Sequence, residues 1–344
     1  MIRKSMPRMI GPELTDRDRP AATRLAPSPT GALHLGNAMS FLITWAIARQ
    51  RGWLLHMRIE DLDGPRVQTD AARDAIDLLA WMGLDWDGEI MWQSRDLSPY
   101  CSAMRTLAQK RCIYSCSLSR NEIAAAASAP QEGDQHETPF PIELRADSSD
   151  VHRFRFHDDE DSADHVATNN RFIVEPGAVT IDDQLAGVRT FDPAREIGDF
   201  IVWTLRSQPA YQLAVVVDDA RQGVTDVIRG NDLLSSAARQ VLLYRALGLE
   251  PPRWWHLPLV RGSDGRRLAK RHGDTRVTAY REKGVPAERI IGLIAGWCNV
   301  DDSPRCMDAA EFCSRFDVRN LPSHDITFSD RDHSWLLCES LPSC

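Results

Sequence analysis

The chain has 344 residues, 43% of them hydrophobic, which suits one large domain together with a smaller one. Its formal net charge of −8 argues against a uniformly basic nucleic-acid-binding protein, although a local basic patch can still bind RNA. No segment approaches the ~20 consecutive apolar residues that span a bilayer, and the N-terminus lacks the apolar core of an export signal. The eight cysteines show no paired spacing. These features predict a cytoplasmic protein with reduced thiols and no membrane association.

The first part of the chain alternates between short apolar segments and longer helical patterns. Residues 22–25 and 54–59 predict two strands, and the apolar run between them predicts a helix over residues 38–50. Residues 69–82 are amphipathic, as in a surface helix. The apolar side of that helix is predicted to consist of Ile76, Leu79, Ala80 and Met82. This order of elements is typical of an α/β fold.

The second part repeats the alternation. Residues 211–217 are almost continuously apolar, which is typical of a buried parallel strand, and residues 234–247 predict a further helix. Strands and helices in this order predict a doubly wound parallel sheet that binds its ligand at the carboxyl ends of the strands. A second domain is expected as an insertion between the two halves, at about residues 105–195.

The most informative segment is residues 24–37, which read Arg-Leu-Ala-Pro-Ser-Pro-Thr-Gly-Ala-Leu-His-Leu-Gly-Asn. A Pro- and Gly-rich turn that opens a helix directs backbone N–H groups and the positive helix end towards one spot, where phosphates can bind. Gly36 has no Cβ, so a flat base can lie against the backbone. His34 can donate to a phosphate oxygen as charge develops there. Taken alone, such a turn is more often an ordinary strand–helix connection.

Five further motifs follow along the chain. They are residues 58–63 (Arg-Ile-Glu-Asp-Leu-Asp), 84–95, 211–219, 228–234 (Ile-Arg-Gly-Asn-Asp-Leu-Leu) and 267–271 (Arg-Leu-Ala-Lys-Arg). Together with residues 24–37, they resemble the glutamyl branch of the class I aminoacyl-tRNA synthetases, over about residues 22–280. In this comparison Asn37 replaces the second His of the His-Ile-Gly-His motif. Ala269 replaces the usual Ser of the Lys-Met-Ser-Lys-Ser loop, for which we expect weaker loop order.

The resemblance implies sites for ATP and L-glutamate. Glutamate has two carboxylates and one ammonium group, so its pocket should contain two cationic groups and one anionic group. The implied glutamate-binding residues are Arg24, Ala26, Ser28, Glu60, Tyr211 and Arg229. The implied ATP-binding residues are Pro27, Ser28, Thr30, Gly31, His34, Gly36, Asn37 and Lys270. His34 and Lys270 are the implied catalytic residues, and Mg²⁺ is expected to bridge the ATP phosphates.

The length of the chain points to a short family within this branch, the glutamyl-queuosine-tRNA(Asp) synthetases. Too few residues follow Tyr280 for the anticodon-binding domain of a full glutamyl-tRNA synthetase, and the Asp-Leu-Leu ending of residues 232–234 is more typical of the short form. The short family activates glutamate without tRNA and esterifies it to queuosine at the wobble position of tRNA(Asp). The resemblance therefore implies the anticodon arm of tRNA(Asp) as the partner of the chain, which we expect to be a monomer.

The resemblance also implies a division of the chain into segments. These are a disordered tail (1–20), the first half of the nucleotide-binding catalytic domain (21–104), an inserted α/β domain of the acceptor-binding type (105–195, flexible at 121–165), the second half of the catalytic domain (196–260), and the Lys-loop with a truncated helical stem-contact region and no anticodon-binding domain (261–344).

The inserted segment departs from the short family at its zinc site. That family usually carries Cys-x-Cys followed by a Tyr and another Cys. Here Cys116 aligns with the first cysteine, Leu118 stands in the place of the second, and no cysteine follows until Cys298. Cys112, Cys116 and His136 do not make a convincing tetrahedral set. The sequence therefore predicts that the chain binds no zinc.

Three other functions stay open at this point. A truncated glutamyl-tRNA synthetase would charge a tRNA 3′ end, and the sequence does not decide between the two acceptors. A small-molecule adenylyltransferase could share the His-Leu-Gly-Asn turn, but it would not need Arg24 together with Arg229. A non-catalytic paralogue that binds RNA or a partner would be favoured by loss of His34 or Lys270, and both residues are present.

Overall fold

The structure is a computed structural model that describes residues 20–29, 31–62, 69–119, 121–123, 139–145, 168–266, 268 and 275–337. Its strands are β1 (Ala22–Leu25), β2 (Leu54–Ile59), β3 (Met91–Trp92), β4 (Ile113–Cys116), β5 (Asn169–Phe172), β6 (Val179–Asp183), β7 (Gly187–Phe191), β8 (Phe200–Trp203), β9 (Asp226–Gly230), β10 (Arg253–Leu257), β11 (Val260–Arg261) and β12 (Ile326–Thr327). Its helices are α1 (Leu35–Arg51), α2 (Thr69–Trp81), α3 (Ser98–Gln109), α4 (Pro193–Glu196), α5 (Tyr211–Arg221), α6 (Leu234–Leu247), α7 (Val277–Glu282), α8 (Ala287–Trp297), α9 (Ala309–Arg315) and α10 (Asp330–Leu337).

Parallel strands form the centre of the molecule. β1 pairs with β2 and β2 with β3, while β9 pairs with β10 and β10 with β6, all in parallel. β7 adds an antiparallel edge strand next to β6. β1 and β9 lie side by side, and the Thr225 N–H donates to the Ala22 carbonyl oxygen at 2.9 Å. The spatial order β3-β2-β1-β9-β10-β6 reverses between β1 and β9, which is where ligands bind in sheets of this type.

Helix α1 follows β1 and has well-defined ends. At its start, the His34 N–H donates to Oδ1 of Asn37 at 3.1 Å and so satisfies one of the donors near the helix end. At its end, Gly52 adopts a left-handed conformation with φ of 63°, where a side chain would be strained. Most side chains between these ends are buried, so the helix packs beneath the sheet. The predicted strands at residues 22–25 and 54–59 are confirmed, and α1 begins slightly earlier than predicted.

The prediction of a strand over residues 211–217 is wrong, because these residues form most of helix α5. The segment from Leu213 to Asp219 is buried throughout, and α5 is covered by α3, α6 and β8. Because the helix is enclosed, residues 213–217 are apolar on successive sides of it and lack the periodicity that separates a helix from a buried strand. In α2, the predicted apolar side was partly wrong, since Ala80 is exposed and Leu78 is buried.

A small antiparallel sheet lies beside the parallel one. β5 pairs with β4 on one side and with β8 on the other. The carboxylate of Asp199, next to β8, ties this region together, because it accepts hydrogen bonds from Tyr114, from the Arg145 guanidinium and from the Val174 backbone N–H at 2.8–3.0 Å. Some apolar side chains of this sheet, such as Phe172 and Val202, join the core around α3 and α5, whereas Tyr114 and Cys116 pack in a smaller cluster with Phe140.

The C-terminal helices pack against the first half of the parallel sheet. α8 and α9 contact α1, and their buried side chains join the same hydrophobic core. β11 and β12 pair in parallel and connect this region to the end of β10. Within the described ranges, no helix combines the length and the apolar character needed to cross a membrane.

Candidate active site

The charged residues predicted to bind glutamate meet at the carboxyl ends of neighbouring strands. Arg24 lies in β1, Arg229 lies in β9, and Glu60 directly follows β2. Only 5%, 6% and 9% of their respective surfaces are exposed. Because charged side chains are rarely buried to this extent without partners, each of them should be held by specific contacts.

Asp219 of α5 links Arg24 to Arg58, which in turn contacts Glu60. Its Oδ1 atom accepts a hydrogen bond from Arg24 Nε at 3.3 Å and another from Arg58 Nη1 at 2.7 Å. Nη2 of the same Arg58 donates to Glu60 Oε1 at 3.2 Å, and the Ser28 hydroxyl donates to Glu60 Oε2 at 3.2 Å. The result is a continuous network of ion pairs from Arg24 to Glu60, which orients both side chains in the absence of a ligand.

Arg58 is the most deeply buried residue of this network. Burial opposes its positive charge, but the carboxylates of Asp219 and Glu60 outweigh burial and raise the pKa of the guanidinium. Neither Arg58 nor Asp219 was among the predicted site residues. The sequence did contain one signal for Arg58. It lies two residues before Glu60 at the end of β2, and residues two apart in an extended segment share a face.

Arg229 is enclosed by polar partners on three sides. Its Nε donates to His256 Nε2 at 3.0 Å, its Nη1 to Gln240 Oε1 at 3.0 Å, and its Nη2 to the Leu233 carbonyl oxygen at 3.1 Å. The guanidinium carbon also lies 4.7 Å from the centre of the Trp254 ring. These contacts fix the plane of the guanidinium group, which is what recognition of a carboxylate requires.

Electrostatics favour an anion beside Arg229. Burial lowers the pKa of this guanidinium; the Tyr211 hydroxyl opposes that effect, and the charge of Arg24 adds to it. A bound carboxylate would compensate these two buried positive charges. Tyr211 begins α5, and 39% of its surface is exposed. Its hydroxyl end nevertheless lies among charged groups, and loss of hydration raises its pKa, so that it remains a neutral hydrogen-bond donor.

The predicted nucleotide-binding turn lies next to this pocket. The Glu60 N–H donates to the Pro27 carbonyl oxygen at 3.1 Å, which joins the turn to the end of β2. Gly36 lies under the His34 ring, where an added Cβ would come within 3.2 Å of ring atoms. Asn37 caps the start of α1, as described above. Ala26 is half-buried, and Gly31 is exposed with no atom near its missing Cβ.

The segment on either side of Lys270 adjoins the same turn. Leu268 is buried in the core, and the Leu35 N–H donates to the Thr275 carbonyl oxygen at 3.1 Å. The Val277 N–H donates to the Leu33 carbonyl oxygen at 2.9 Å. Lys270 and Thr30 themselves lie outside the described residues, so their predicted roles stay predictions.

The predicted zinc region contains no metal cluster that the structure describes. Cys116 is buried at the end of β4, and Leu118 packs partly buried against the same apolar cluster. Among the residues with described positions, no group of three or more His, Cys, Asp or Glu side chains is arranged to hold a metal ion. His136 lies outside those residues, and the prediction of no zinc stays a prediction.

Comparisons with known proteins agree with this geometry. Residues 21–335 match the family described as tRNA synthetases class I (E and Q), catalytic domain. The chain is 42% identical over 325 residues to the glutamyl-Q tRNA(Asp) synthetase of Rhodopirellula baltica, covering 86% of this chain and 93% of that protein. It is 38% identical over 316 residues to the protein of the same name from Symbiobacterium thermophilum, covering 88% and 94% respectively.

Longer relatives and a solved structure match as well. The chain is 40% identical over 296 residues to glutamate–tRNA ligase 1 of Sphingopyxis alaskensis, but it covers only 57% of that protein and 85% of itself. A crystal structure of a glutamate tRNA ligase from Elizabethkingia meningosepticum, in complex with its amino acid, has the same fold, with a TM-score of 0.73 at 23% identity over 92% of this chain and 69% of that one. The chain therefore belongs to the class I (E and Q) tRNA synthetases and, within them, to the glutamyl-Q tRNA(Asp) synthetase family.

Proposed function

We propose that this enzyme activates L-glutamate with ATP and transfers the glutamyl group to the queuosine base of tRNA(Asp). The observation that carries the proposal is that two buried guanidinium groups, Arg24 and Arg229, and the carboxylate of Glu60 lie at the carboxyl ends of adjacent strands. This set of charges complements the two carboxylates and the ammonium group of glutamate. Relatives that carry the name of this activity match along nearly their whole length.

Glutamate is proposed to bind with its ammonium group towards Glu60 and its carboxylates towards the two arginines and the Tyr211 hydroxyl. Ser28 and the backbone at Ala26 complete the set. Glutamine would present an amide in place of one carboxylate. An amide has one acceptor and one donor group, so it would leave a guanidinium N–H facing another N–H in a buried site. Such a mismatch costs more than a change in apolar contacts and accounts for the choice of glutamate.

Adenylation then joins two bound substrates. An oxygen of the glutamate α-carboxylate attacks the α-phosphorus of ATP, and the bond from that phosphorus to the bridging oxygen breaks to release pyrophosphate. In this proposal Pro27, Ser28, Thr30, Gly31, Gly36 and Asn37 hold the nucleotide, while His34 and Lys270 stabilise the negative charge that develops on the phosphates. Mg²⁺, which typically accompanies ATP in this family, neutralises part of the phosphate charge when bound.

Transfer requires the acceptor hydroxyl to reach the same pocket. We propose that the anticodon arm of tRNA(Asp) docks there and presents the cyclopentenediol of its unpaired queuosine, since single-stranded bases can be turned out of their stack and recognised. Basic residues of the Lys-loop, Arg266, Arg267 and Arg271, would contact the RNA backbone. We further propose that the chain is divided at the segment boundaries predicted from the sequence. We also propose that it acts as a monomer in the cytoplasm.

Periodate oxidation of tRNA(Asp) after charging tests the acceptor. Periodate cleaves both the diol of queuosine and the diol of the terminal ribose, and a glutamyl ester protects whichever diol carries it. We expect queuosine to be protected while the 3′ end stays sensitive. A protected 3′ end with an oxidised queuosine would instead identify an enzyme that charges tRNA as the longer glutamate–tRNA ligases do.

A further inference from the structure

A buried pair of residues lies behind Arg229 and has no place in the proposed contacts with glutamate. His256, in β10, accepts the hydrogen bond from Arg229 Nε at its Nε2 atom. Its other ring nitrogen, Nδ1, lies 2.5 Å from Oδ2 of Asp183, at the end of β6. The side chains of Asp183 and His256 are both fully enclosed. A titratable pair is thus buried in direct contact with a guanidinium group that faces the substrate pocket.

The chemistry of Arg229 fixes the proton on His256. A guanidinium can donate hydrogen bonds but cannot accept them, so Nε2 of His256 must offer its lone pair. The ring proton therefore resides on Nδ1 and is donated to Asp183. Burial lowers the pKa of His256; the hydrogen bond to Asp183 and a contact with the Leu233 backbone oppose that effect, and the charge of Arg229 adds to it. The imidazole is accordingly neutral, in the single tautomer that suits Arg229.

The carboxylate of Asp183 is itself held in place by the backbone. Its Oδ1 accepts hydrogen bonds from the N–H groups of Leu185, Ala186 and His256 at 3.0, 2.8 and 3.2 Å. Burial disfavours this charge, but the hydrogen bonds outweigh burial and lower the pKa of Asp183. The carboxylate is therefore ionised and held in one orientation. Among the described side chains, only His256 hydrogen-bonds its Oδ2 atom.

We propose that Asp183 and His256 are positioning residues that hold the Arg229 guanidinium for the substrate carboxylate and thereby set the preference for glutamate over glutamine. This inference rests on the proposed glutamate-activating function. Nε, Nη1 and Nη2 of Arg229 each donate one hydrogen bond to the protein, and the Tyr211 hydroxyl also hydrogen-bonds the guanidinium. A substrate carboxylate must therefore bind in the orientation that these four partners leave. Without the acceptor at His256, the guanidinium could rotate and offer another pair of donors.

The substitution Asp183→Asn tests the pair with almost no change in shape. The amide oxygen can still accept from the backbone N–H groups, but its NH₂ group would donate to His256 Nδ1. The ring proton would then move to Nε2 and face the N–H of Arg229. We expect the KM for glutamate to rise about tenfold or more, with little change in kcat or in the KM for ATP, and discrimination against glutamine to fall.

Asp226→Asn is the matched control. Asp226 is another fully buried carboxylate, at the opposite end of β9 from Arg229, where it accepts from the Arg253 guanidinium and the Trp255 ring N–H. The Asp226→Asn substitution is expected to lower thermal stability without changing the KM for glutamate. Equal glutamate KM values in the Asp183→Asn and Asp226→Asn variants, with the parent active, would overturn the inference.

Two further measurements separate positioning from a structural role. His256→Gln keeps a neutral acceptor and should retain more glutamate affinity than His256→Leu; equal losses in the two variants would contradict the inference. Imidazole ¹⁵N spectra should show the His256 proton on Nδ1 in the parent and on Nε2 in Asp183→Asn, independently of activity. If the parent shows this tautomer but no glutamate-dependent pyrophosphate exchange, the proposed function fails, and with it the role assigned to the pair.

Discussion

Arg24, Arg58 and Glu60 are almost completely buried, and Asp219 contacts both arginines at once. Its Oδ1 atom contacts the two guanidinium groups, and Arg58 passes the interaction on to Glu60. Removing one partner from such a network leaves a buried charge uncompensated, which is far more costly than losing an exposed ion pair. Arg24 and Glu60 are therefore oriented by contacts with Asp219 and Arg58.

His34 and Lys270 should act on the rate of adenylation more than on binding of the amino acid. We expect His34→Ala and Lys270→Ala to lower the rate of glutamate-dependent ATP–pyrophosphate exchange by about 10²-fold or more, with little change in the KM for glutamate, because both would meet charge that develops in the transition state. Lys283→Ala, at an exposed lysine after α7, serves as the control. Rates equal to the parent would remove these residues from the mechanism.

Glutamate binding should weaken in acid because His256 must stay neutral. Asp183 and Arg229 contact its ring, and Tyr211 lies beyond Arg229. The pKa of His256 in the folded chain lies below its ordinary value of about 6.5. As pH falls below 6.5, His256 is protonated in the unfolded chain before it is protonated in the folded chain, so the folded chain loses stability. As pH falls further, through the folded pKa, the imidazole of the folded chain is protonated and repels Arg229.

We therefore expect the KM for glutamate to rise as pH falls through the folded pKa of His256, which lies below 6.5, measured by pyrophosphate exchange at saturating ATP. His256→Gln, which cannot be protonated, is the control and should lack this component of the pH profile. A parent and a His256→Gln variant with parallel profiles would contradict the assignment.

Among the elements, the amphipathic helix α2 was predicted well because one of its faces packs towards the core. The strands β1 and β2 were predicted from short apolar segments, although β1 is buried along its whole length. Unlike α2, α5 has no such face, so its apolar run suggested a strand. The Asp183–His256 contact was also beyond prediction, since it joins β6 and β10 across 73 positions of sequence and neither residue stands in a motif that indicates its partner.

At Gly292, helix α8 packs closely against the backbone of Arg305. A Cβ added there would lie 1.8 Å from the Arg305 carbonyl oxygen, which is rigid backbone. We expect Gly292→Ala to destabilise the chain by about 1–3 kcal/mol, as overpacking does, despite the better helix propensity of Ala. Gly296→Ala, in the same helix, would meet only a proline side chain at 3.3 Å and should cost much less. Thermal unfolding of both variants measures the difference, and equal stabilities would contradict this packing.

The whole molecule is organised around the point where the order of strands reverses. Arg24 and Arg229 belong to β1 and β9, the two strands that flank this point, so residues distant in sequence face one pocket. Sequence motifs pointed to Arg24, Glu60 and Arg229, which the structure brings to the carboxyl ends of neighbouring strands; their roles in binding stay predictions. The motifs did not predict the supporting contacts of Arg58, Asp219 and His256, since those depend on how separate elements pack.

Metal content is a property of the whole chain that the sequence predicts directly. Because Leu118 occupies a ligand position and the later cysteine is missing, we expect the purified protein to contain no stoichiometric zinc. Metal analysis of protein purified without chelators measures this. One zinc per chain in the parent, lost in a Cys116→Ser variant, would show that other residues complete the site.

The most direct test of the proposed function compares two acceptors side by side. Labelled glutamate, ATP and the enzyme are incubated with tRNA(Asp) that either contains or lacks queuosine, and glutamate-dependent pyrophosphate exchange is measured without tRNA in parallel. We expect exchange without tRNA and label only on the queuosine-containing tRNA, with transfer that weakens steeply as salt is raised. Exchange that requires tRNA, or equal labelling of both tRNA preparations, would contradict the proposal.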